Sequence, residues 1–138
     1  MIFTNPDDTT IKDILYNHRT IAVVGCSPKD YRDSNRIARL LIARGHQVIP
    51  VNPGHNQILG VTSYPDLLSV PTQVDMVDVF RRSEYVPDIA DQAIKIGAKI
   101  LWTQLGVWHE EAALKAQKAG LIVVMDRCPA IEYRRLGI

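Results

Sequence analysis

The sequence has little of what marks metal-binding or nucleic-acid-binding proteins. Its 138 residues include two cysteines, Cys26 and Cys128, which lie far apart, form no CxxC pair and have no metal-ligand spacing. We therefore predict no metal site. Lys and Arg number 16 and Asp and Glu number 15, so the formal net charge is only +1. Domains that bind nucleic acid are usually strongly basic, so we expect no large nucleic-acid surface either.

Long apolar runs and a leader-like N-terminus are also absent from the sequence. No run approaches the length that crosses a bilayer, and Asp7 and Asp8 come early with no apolar segment behind them. We therefore expect a cytoplasmic protein with no membrane partner. No linker, repeat or low-complexity segment divides the chain, so residues 1–138 are predicted to form one domain. A chain of this length buries roughly two thirds of its unfolded surface, which is enough for a core.

One stretch near the N-terminus combines a strand, a glycine turn and a helix. Residues 21–24 are four apolar residues, three of them β-branched, which is typical of a buried parallel strand. Gly25 follows, and residues 35–43 have the apolar spacing of an amphipathic helix. In such a unit the free N–H groups at the start of the helix face an anion, so this corner is predicted to hold a phosphate.

Strands and helices are predicted to alternate along the remaining chain. Two short segments are less regular: residues 59–63 read as a short strand or an extended link, and residues 65–68 as one helical turn. Alternation with short connections favours an α/β fold, a single Rossmann-like doubly wound domain with a mostly parallel sheet and helices on both faces. The predicted strands are 20–24, 47–51, 74–80, 99–103 and 121–125, and the predicted helices begin near Ile11 and at 35, 84, 110 and 130.

Polar and cationic residues follow the predicted strands at their carboxyl ends. In open parallel sheets the ligand lies at this edge, beside the point where the strand order reverses. The cations expected on one rim are Lys29, Arg32, Arg81, Arg82 and Arg127. This composition predicts a pocket for a polyanion that also has an apolar part.

The most familiar ligand of such a pocket, NAD, fits the sequence poorly. The fingerprint G-x-G-x-x-G is absent because Gly25 stands alone, and Asn52 occupies the place where an acidic residue would hold the ribose hydroxyls. A Walker loop is absent as well. A small NAD(P)- or nucleotide-dependent enzyme therefore stays an alternative rather than the first hypothesis.

Five separated motifs, in order along nearly the whole chain, point to a more specific family. They are Gly25-Cys26-Ser27-Pro28-Lys29 with Arg32 and Ser34, Val51-Asn52-Pro53, Val77-Asp78-Val79-Phe80-Arg81-Arg82, Trp102-Thr103-Gln104-Leu105-Gly106, and Val124-Met125-Asp126-Arg127-Cys128. Together they resemble the stand-alone CoA-binding protein family, which is similar to the CoA-binding Rossmann domain at the start of the succinyl-CoA synthetase α subunit. One departure is that Gly54 and His55 follow the Asn-Pro pair, where family members often carry Lys.

The resemblance implies coenzyme A as the bound cofactor and assigns a role to each motif. Ser27 and nearby backbone N–H groups would hold the CoA phosphates, and Asn52 would border the nucleotide end. Residues 79–81 would line the pantetheine channel, and residues 104–106 would close it. The cofactor-binding residues that it implies are Gly25, Cys26, Ser27, Lys29, Arg32, Ser34, Val51, Asn52, Pro53, Val79, Phe80, Arg81, Arg82, Gln104, Leu105 and Gly106.

Four residues have a structural interpretation that competes with a functional one. Asp78 lies inside a strand, where a buried carboxylate needs a partner, and it reads equally well as a cap of a neighbouring turn and as a functional group. His46, next to a helix end, is expected to be exposed. Cys26 and Cys128 read as small buried residues, although their place at strand ends allows a mixed disulfide with the CoA thiol.

The sequence offers no recognisable catalytic set. There is no Ser-His-Asp order, no pair of carboxylates at strand ends and no metal cluster. We therefore expect a protein that binds CoA or a short acyl-CoA without an active site of its own, as a carrier, a sensor or a partner subunit. A subunit of a split acyl-CoA ligase is a further alternative, and it would require an ATP-binding protein partner.

Overall fold

Seven strands and five α-helices lie in residues 2–138, the part of the chain that the computed structural model describes. The strands are β1 (Thr20–Val24), β2 (Gln47–Val51), β3 (Gln57–Ile58), β4 (Val61–Thr62), β5 (Met76–Val79), β6 (Ile100–Thr103) and β7 (Ile122–Val124). The helices are α1 (Asp8–Tyr16), α2 (Asp33–Ala43), α3 (Val86–Lys95), α4 (Glu110–Lys118) and α5 (Pro129–Leu136). Two 3₁₀ turns, Leu67–Ser69 and Ser83–Tyr85, precede β5 and α3.

Five of the strands form one parallel sheet in the order β2-β1-β5-β6-β7. The chain moves outward from β1 to β2, then crosses back to β5 on the other side of β1 and continues through β6 to β7. The strand order therefore reverses between β1 and β5, which places the switch point directly after Val24 and Val79. This topology confirms the predicted Rossmann-like α/β fold.

Each central strand contributes side chains to two apolar layers, one on each face of the sheet. In β1, Ala22 and Val24 pack into the layer formed with α3 and α4, whereas Ile21 and Val23 pack into the layer formed with α1, α2 and α5. Successive side chains of a strand point to opposite faces, so a strand covered on both faces has to be apolar throughout. This is why the uninterrupted run in β1 was recognisable from the sequence.

The segment between β2 and β5 differs from its prediction. Residues 59–63 do not join the sheet as a strand; β3 and β4 form a small antiparallel hairpin of their own. Leu59 and Gly60 both have positive φ, 57° and 74°, which is the backbone of a tight two-residue hairpin turn. A single bridge between Val51 and Tyr64 connects this segment to the end of β2.

The prediction that His46 is exposed is wrong. Its side chain is buried where α1 and α5 meet beside the sheet, and its pKa is lowered, mainly by burial. The backbone N–H of Arg19 donates to Nδ1 at 3.1 Å, so Nε2 carries the hydrogen and donates to the Tyr133 hydroxyl at 2.8 Å. That hydroxyl donates in turn to the carbonyl of Leu15 at 3.0 Å.

Candidate functional site

Two adjoining cavities open over the carboxyl ends of the sheet. The main cavity has a volume of about 960 Å³ and lies between α2, α5 and the loops that follow β5 and β6. The small cavity has a volume of about 490 Å³ and lies over the loop from β1 to α2. Asp33 and Phe80 line both cavities, so the two adjoin at the switch point, and together they are called the groove below.

Gly25 allows the chain to turn at the end of β1. Its φ is +85°, and a Cβ at this position would lie 2.5 Å from the carbonyl oxygen of Phe80. Its N–H donates to the carbonyl of Val51 at 2.9 Å, which ties the turn to the end of β2. The close approach of the β1 and β5 loops therefore requires glycine here.

The loop after Gly25 is held against the start of α2. The N–H of Ser27 donates to Ser34 Oγ at 2.9 Å, and Asn35 Nδ2 donates to the carbonyl of Ser27, also at 2.9 Å. The Ser27 hydroxyl accepts a hydrogen bond from the N–H of Lys29. The Ser27 N–H is thus already bonded within the protein, and its hydroxyl hydrogen is the group that remains to donate to a ligand.

Asn52 has a structural role at the end of β2. Its Nδ2 donates to the carbonyl of Cys26 at 2.9 Å, and its Oδ1 accepts from the N–H of Gly54 at 2.9 Å. Both ends of the amide are therefore used to join the loops that follow β1 and β2. A third cavity, of about 220 Å³, lies on the other side of this junction and is lined by Val51, Pro53 and Arg81 among others.

The structure brings most of the sequence-predicted residues to this groove. Six of them line the small cavity: Gly25, Ser27, Lys29, Arg32, Ser34 and Asn52. Five others line the main cavity: Arg81, Arg82, Gln104, Leu105 and Gly106; Phe80 lines both. Val51 and Pro53 lie beside the third cavity.

Two predicted residues have side chains that do not reach the groove. Val79 and Cys26 are both fully buried, so the prediction that Val79 lines a ligand channel is corrected. The physical reason is that Val79 is the last residue of β5 and faces the apolar layer beneath α3. Cys26 turns toward the opposite layer, and burial together with nearby Asp78 raises the pKa of its thiol to about 11.

The cations of the groove lie mostly at its rim and differ in how firmly they are held. The Arg81 guanidinium lies 4.3 Å from the ring centre of Tyr85, a cation–π contact. Arg82 is 3.8 Å from Glu84 and is highly exposed. Arg127, which was expected on this rim, does not line the two cavities and instead lies 3.8 Å from the buried carboxylate of Glu132.

Asp78 is a buried carboxyl group close to the main cavity. Gln104 Nε2 donates to its Oδ1 at 2.6 Å, and its Oδ2 has no hydrogen-bond partner. Burial raises the pKa of Asp78 to about 7, and the hydrogen bond from Gln104 opposes that shift in part. Asp78 is thus neither the cap of a turn nor a residue of the cavity surface. It is the hydrogen-bond partner of Gln104, which lines the main cavity.

The loop after β6 is fixed by two contacts from neighbouring elements. The Thr103 hydroxyl donates to the carbonyl of Val107 at 2.7 Å, and the N–H of Gly106 donates to Asp126 Oδ1, also at 2.7 Å. Asp126 adopts a φ of 58°, an uncommon conformation for a residue other than glycine. This loop therefore has a defined position at the wall of the main cavity.

Several residues that line the main cavity are not among the cofactor-binding residues that the sequence implied. They come from α2 and α5: Arg36, Ile37, Leu40, Ala130, Ile131 and Arg134. Cys128, at the start of α5, also lines this cavity, and the sequence had singled it out for a mixed disulfide with the CoA thiol. Helix residues that face a cavity and helix residues that face the core follow the same amphipathic pattern. The sequence therefore gives no signal that distinguishes a cavity-lining residue from a core residue. The only available hint was the pair Cys128-Pro129 directly after the last strand.

Two further properties concern the described part of the chain as a whole. None of the helices in residues 2–138 is long and apolar enough to cross a membrane. In the same residues, no group of three or more His, Cys, Asp or Glu side chains is arranged to hold a metal ion.

The fold and the groove define a Rossmann-like domain with two adjoining cavities at the carboxyl ends of its strands. Residues 19–134 match the sequence model of the family described as "CoA binding domain". Because this match spans most of the chain, the protein belongs to that family, and the resemblance seen in the sequence motifs is confirmed.

Relatives of this chain include both proteins of the same size and much longer ligases. The uncharacterized protein YneT of Bacillus subtilis is 37% identical over 129 residues, which cover 94% of this chain and 96% of that protein. A solved structure of a hypothetical protein from Pyrococcus horikoshii is 39% identical, with a TM-score of 0.91 and 100% coverage of both chains. The α subunit of ADP-forming acetate–CoA ligase I of Pyrococcus furiosus is 28% identical over 95 residues, 64% of this chain but only 21% of that subunit.

Proposed function

We propose that this protein binds coenzyme A, or a short acyl-CoA, along the groove formed by the two cavities. The observation that carries the proposal is that the two cavities adjoin at the switch point and that their linings combine cationic with apolar side chains. Lys29 and Arg32 line the small cavity, and the main cavity combines apolar side chains such as Ile37 and Leu40 with four arginines, Arg36, Arg81, Arg82 and Arg134. A ligand that has several phosphates and a long, less polar arm matches this combination.

The start of α2 suits the phosphate end of such a ligand. The first N–H groups of a helix have no intrahelical acceptor, and the helix dipole places partial positive charge there. Lys29 and Arg32 add two full charges to the same small cavity. His55 also lines it and stands near the place where family members often have Lys, so it is the residue that we assign to replace that contact.

The main cavity suits the pantetheine arm. Its volume of about 960 Å³ lies within the range of small-molecule sites, and its lining combines apolar side chains with polar and cationic ones, including four arginines. Phe80 stands at the junction with the small cavity, and Gln104 and Cys128 lie farther along the wall. The thiol or thioester end would therefore lie between the loop after β6 and the start of α5.

We further propose that the role is non-catalytic, as a carrier, a sensor or a partner subunit. A serine or cysteine nucleophile is commonly activated by a hydrogen bond to a base such as histidine. No serine or cysteine of residues 2–138 makes such a bond to a histidine. Ser27, the hydroxyl in the small cavity, is bonded to the backbone of Lys29 instead.

A second candidate function is that of one subunit of a split acyl-CoA ligase. The similarity to the α subunit of a Pyrococcus furiosus ligase favours it, although this chain spans about a fifth of that subunit. This candidate predicts that the protein co-purifies with an ATP-binding partner. Affinity purification from the native host, followed by mass spectrometry, tests it directly.

An NAD-dependent or other nucleotide-dependent enzyme remains the third candidate and is disfavoured by Asn52. In dinucleotide-binding domains the residue after β2 is usually acidic and bonds the ribose. Here both ends of the Asn52 amide are already bonded within the protein.

The test of CoA binding is calorimetric titration with CoA, acetyl-CoA, NAD and AMP, after native mass spectrometry has excluded a co-purified ligand. We expect CoA to bind with micromolar affinity, about −8 kcal/mol, and NAD to bind far more weakly. Lys29→Gln should weaken CoA binding, whereas Lys95→Gln, at the far end of α3, serves as the matched control. Preference for NAD or AMP over CoA would contradict the proposal.

A further inference from the structure

The carboxyl group of Asp78 is an unusual feature beneath the main cavity. Asp78 lies in β5, between Val23 of β1 and Trp102 of β6, and its side chain is 0% exposed. Its Oδ2 is the only buried side-chain nitrogen or oxygen without a partner in residues 2–138. A buried polar group of this kind is costly to keep. The backbone pairing of β5 does not need the Asp78 side chain. The one hydrogen bond of this side chain, with Gln104, is therefore what its carboxyl group contributes.

That contact determines which end of the Gln104 amide is available. A carboxamide has a donor end and an acceptor end, and Nε2, the donor, is used by Asp78 Oδ1 at 2.6 Å. Gln104 Oε1 accepts no hydrogen bond from the described protein groups. This oxygen is not fully buried either, since Asp78 Oδ2 is the one fully buried side-chain oxygen or nitrogen of the described residues that has no partner. Gln104 lines the main cavity and is only 7% exposed, so Oε1 is reached through that cavity.

We propose that Asp78 is a positioning residue: it holds the Gln104 carboxamide with its oxygen facing the main cavity, as the acceptor for a hydrogen-bond donor of the pantetheine arm. This inference rests on the proposed binding of CoA to the groove. Pantetheine offers two amide N–H groups, one secondary hydroxyl and a terminal S–H group, whereas an acyl-CoA keeps the amides and the hydroxyl and lacks the S–H. If the thiol is the donor, Gln104 therefore selects free CoA over its thioesters.

The experiment is a double-mutant cycle, read out by calorimetric titration with CoA and with acetyl-CoA. The variants are Gln104→Leu, Asp78→Leu and the double variant, each checked for folding by circular dichroism. Gln73→Leu is the matched control, because Gln73 is also a glutamine with Nε2 bonded to protein carbonyl groups but lies before β5, away from both cavities. If Asp78→Leu does not fold, Asp78→Val repeats the cycle with a smaller side chain.

Loss of one hydrogen bond to the ligand should weaken CoA binding about fivefold in Gln104→Leu. Asp78→Leu should weaken it to a similar extent in the wild-type background and hardly at all in the Gln104→Leu background, because it acts through Gln104. A loss for CoA alone identifies the thiol as the donor, and an equal loss for acetyl-CoA identifies a donor that both ligands share, an amide N–H or the hydroxyl.

Three results separate failure of this inference from failure of the proposed function. Unchanged CoA affinity in Gln104→Leu would show that Oε1 contacts no ligand donor. Equal and additive losses from Asp78→Leu in both backgrounds would show that Asp78 acts independently of Gln104. If the wild-type protein binds neither CoA nor acetyl-CoA, the proposed function itself fails, whatever the variants do.

Discussion

The buried carboxyl of Asp78 leads to a specific prediction about stability and pH. In the unfolded chain Asp78 has its ordinary pKa of 3.8, whereas burial raises its pKa to about 7 in the folded protein. Between these two pH values the folded state keeps a proton that the unfolded state has released. The free energy of unfolding therefore falls as pH rises from about 4 to 7, and this contribution is constant above pH 7.

The size of this effect follows from the pKa difference. Each unit of pKa corresponds to about 1.4 kcal/mol, so the two states differ by about 4 kcal/mol across the full range. Asp78→Asn keeps an acceptor for Gln104 Nε2 but does not titrate. The variant should therefore gain stability relative to wild type as pH rises from 4.5 to 7.5, by about 3 kcal/mol, since this window covers most of the pH range between the two pKa values.

The assay is urea unfolding at several pH values, followed by tryptophan fluorescence, for which Trp102 is a fully buried probe. The control is Asp91→Asn, which removes a carboxylate from an exposed ion pair with Lys115. Exposed pairs contribute little, so this variant should stay within about 1 kcal/mol of wild type at every pH. A constant difference between Asp78→Asn and wild type across the pH range would refute the reasoning.

Three further predictions follow from the same contacts. The pKa of His46 is lowered in the folded protein, so the fold keeps this imidazole neutral while the unfolded chain takes up a proton below about pH 6.5. On acidification to pH 5, His46→Leu should therefore lose less stability than wild type, as measured by urea unfolding. Gly25→Ala should cost roughly 2 kcal/mol in urea unfolding, because of its φ and its contact with Phe80, and more than Gly60→Ala, which has a similar φ but open space around the new Cβ. When CoA disulfide is added, mass spectrometry should find the CoA adduct on Cys128, which lines the main cavity, and not on the buried Cys26; an adduct that survives Cys128→Ser would contradict this.

The sequence alone predicted the central strands and their order of appearance with accuracy. Thr20–Val24 and Gln47–Val51 have the predicted bounds, and the helix after Gly25 begins two residues earlier than expected. A strand that is covered on both faces must be apolar along its length, so a run of consecutive apolar residues in the sequence indicates its burial. The turn motifs after these strands are equally local, which is why the family was recognisable before the fold was known.

Other features depend on residues that are distant in the chain. His46 is buried because Tyr133 of α5 and Leu15 of α1 lie beside it, and nothing next to it in the sequence indicates either neighbour. Val79 belongs to a correctly predicted motif, but the direction of its side chain depends on which face of the sheet α3 covers. The pairing of Asp78 with Gln104 likewise needs β5 and β6 to lie side by side.

The sequence by itself therefore determined the strands of the parallel sheet, the helices and the cationic turn after β1, because each depends on neighbouring residues, whereas the β3–β4 hairpin was not predicted. Only the tertiary structure decided how α2 and α5 meet above Phe80 to enclose the main cavity, and which polar atoms of its wall remain free. The physical reason is that a cavity is bounded by elements brought together by the crossover of the chain at β1, and packing rather than local pattern sets their separation.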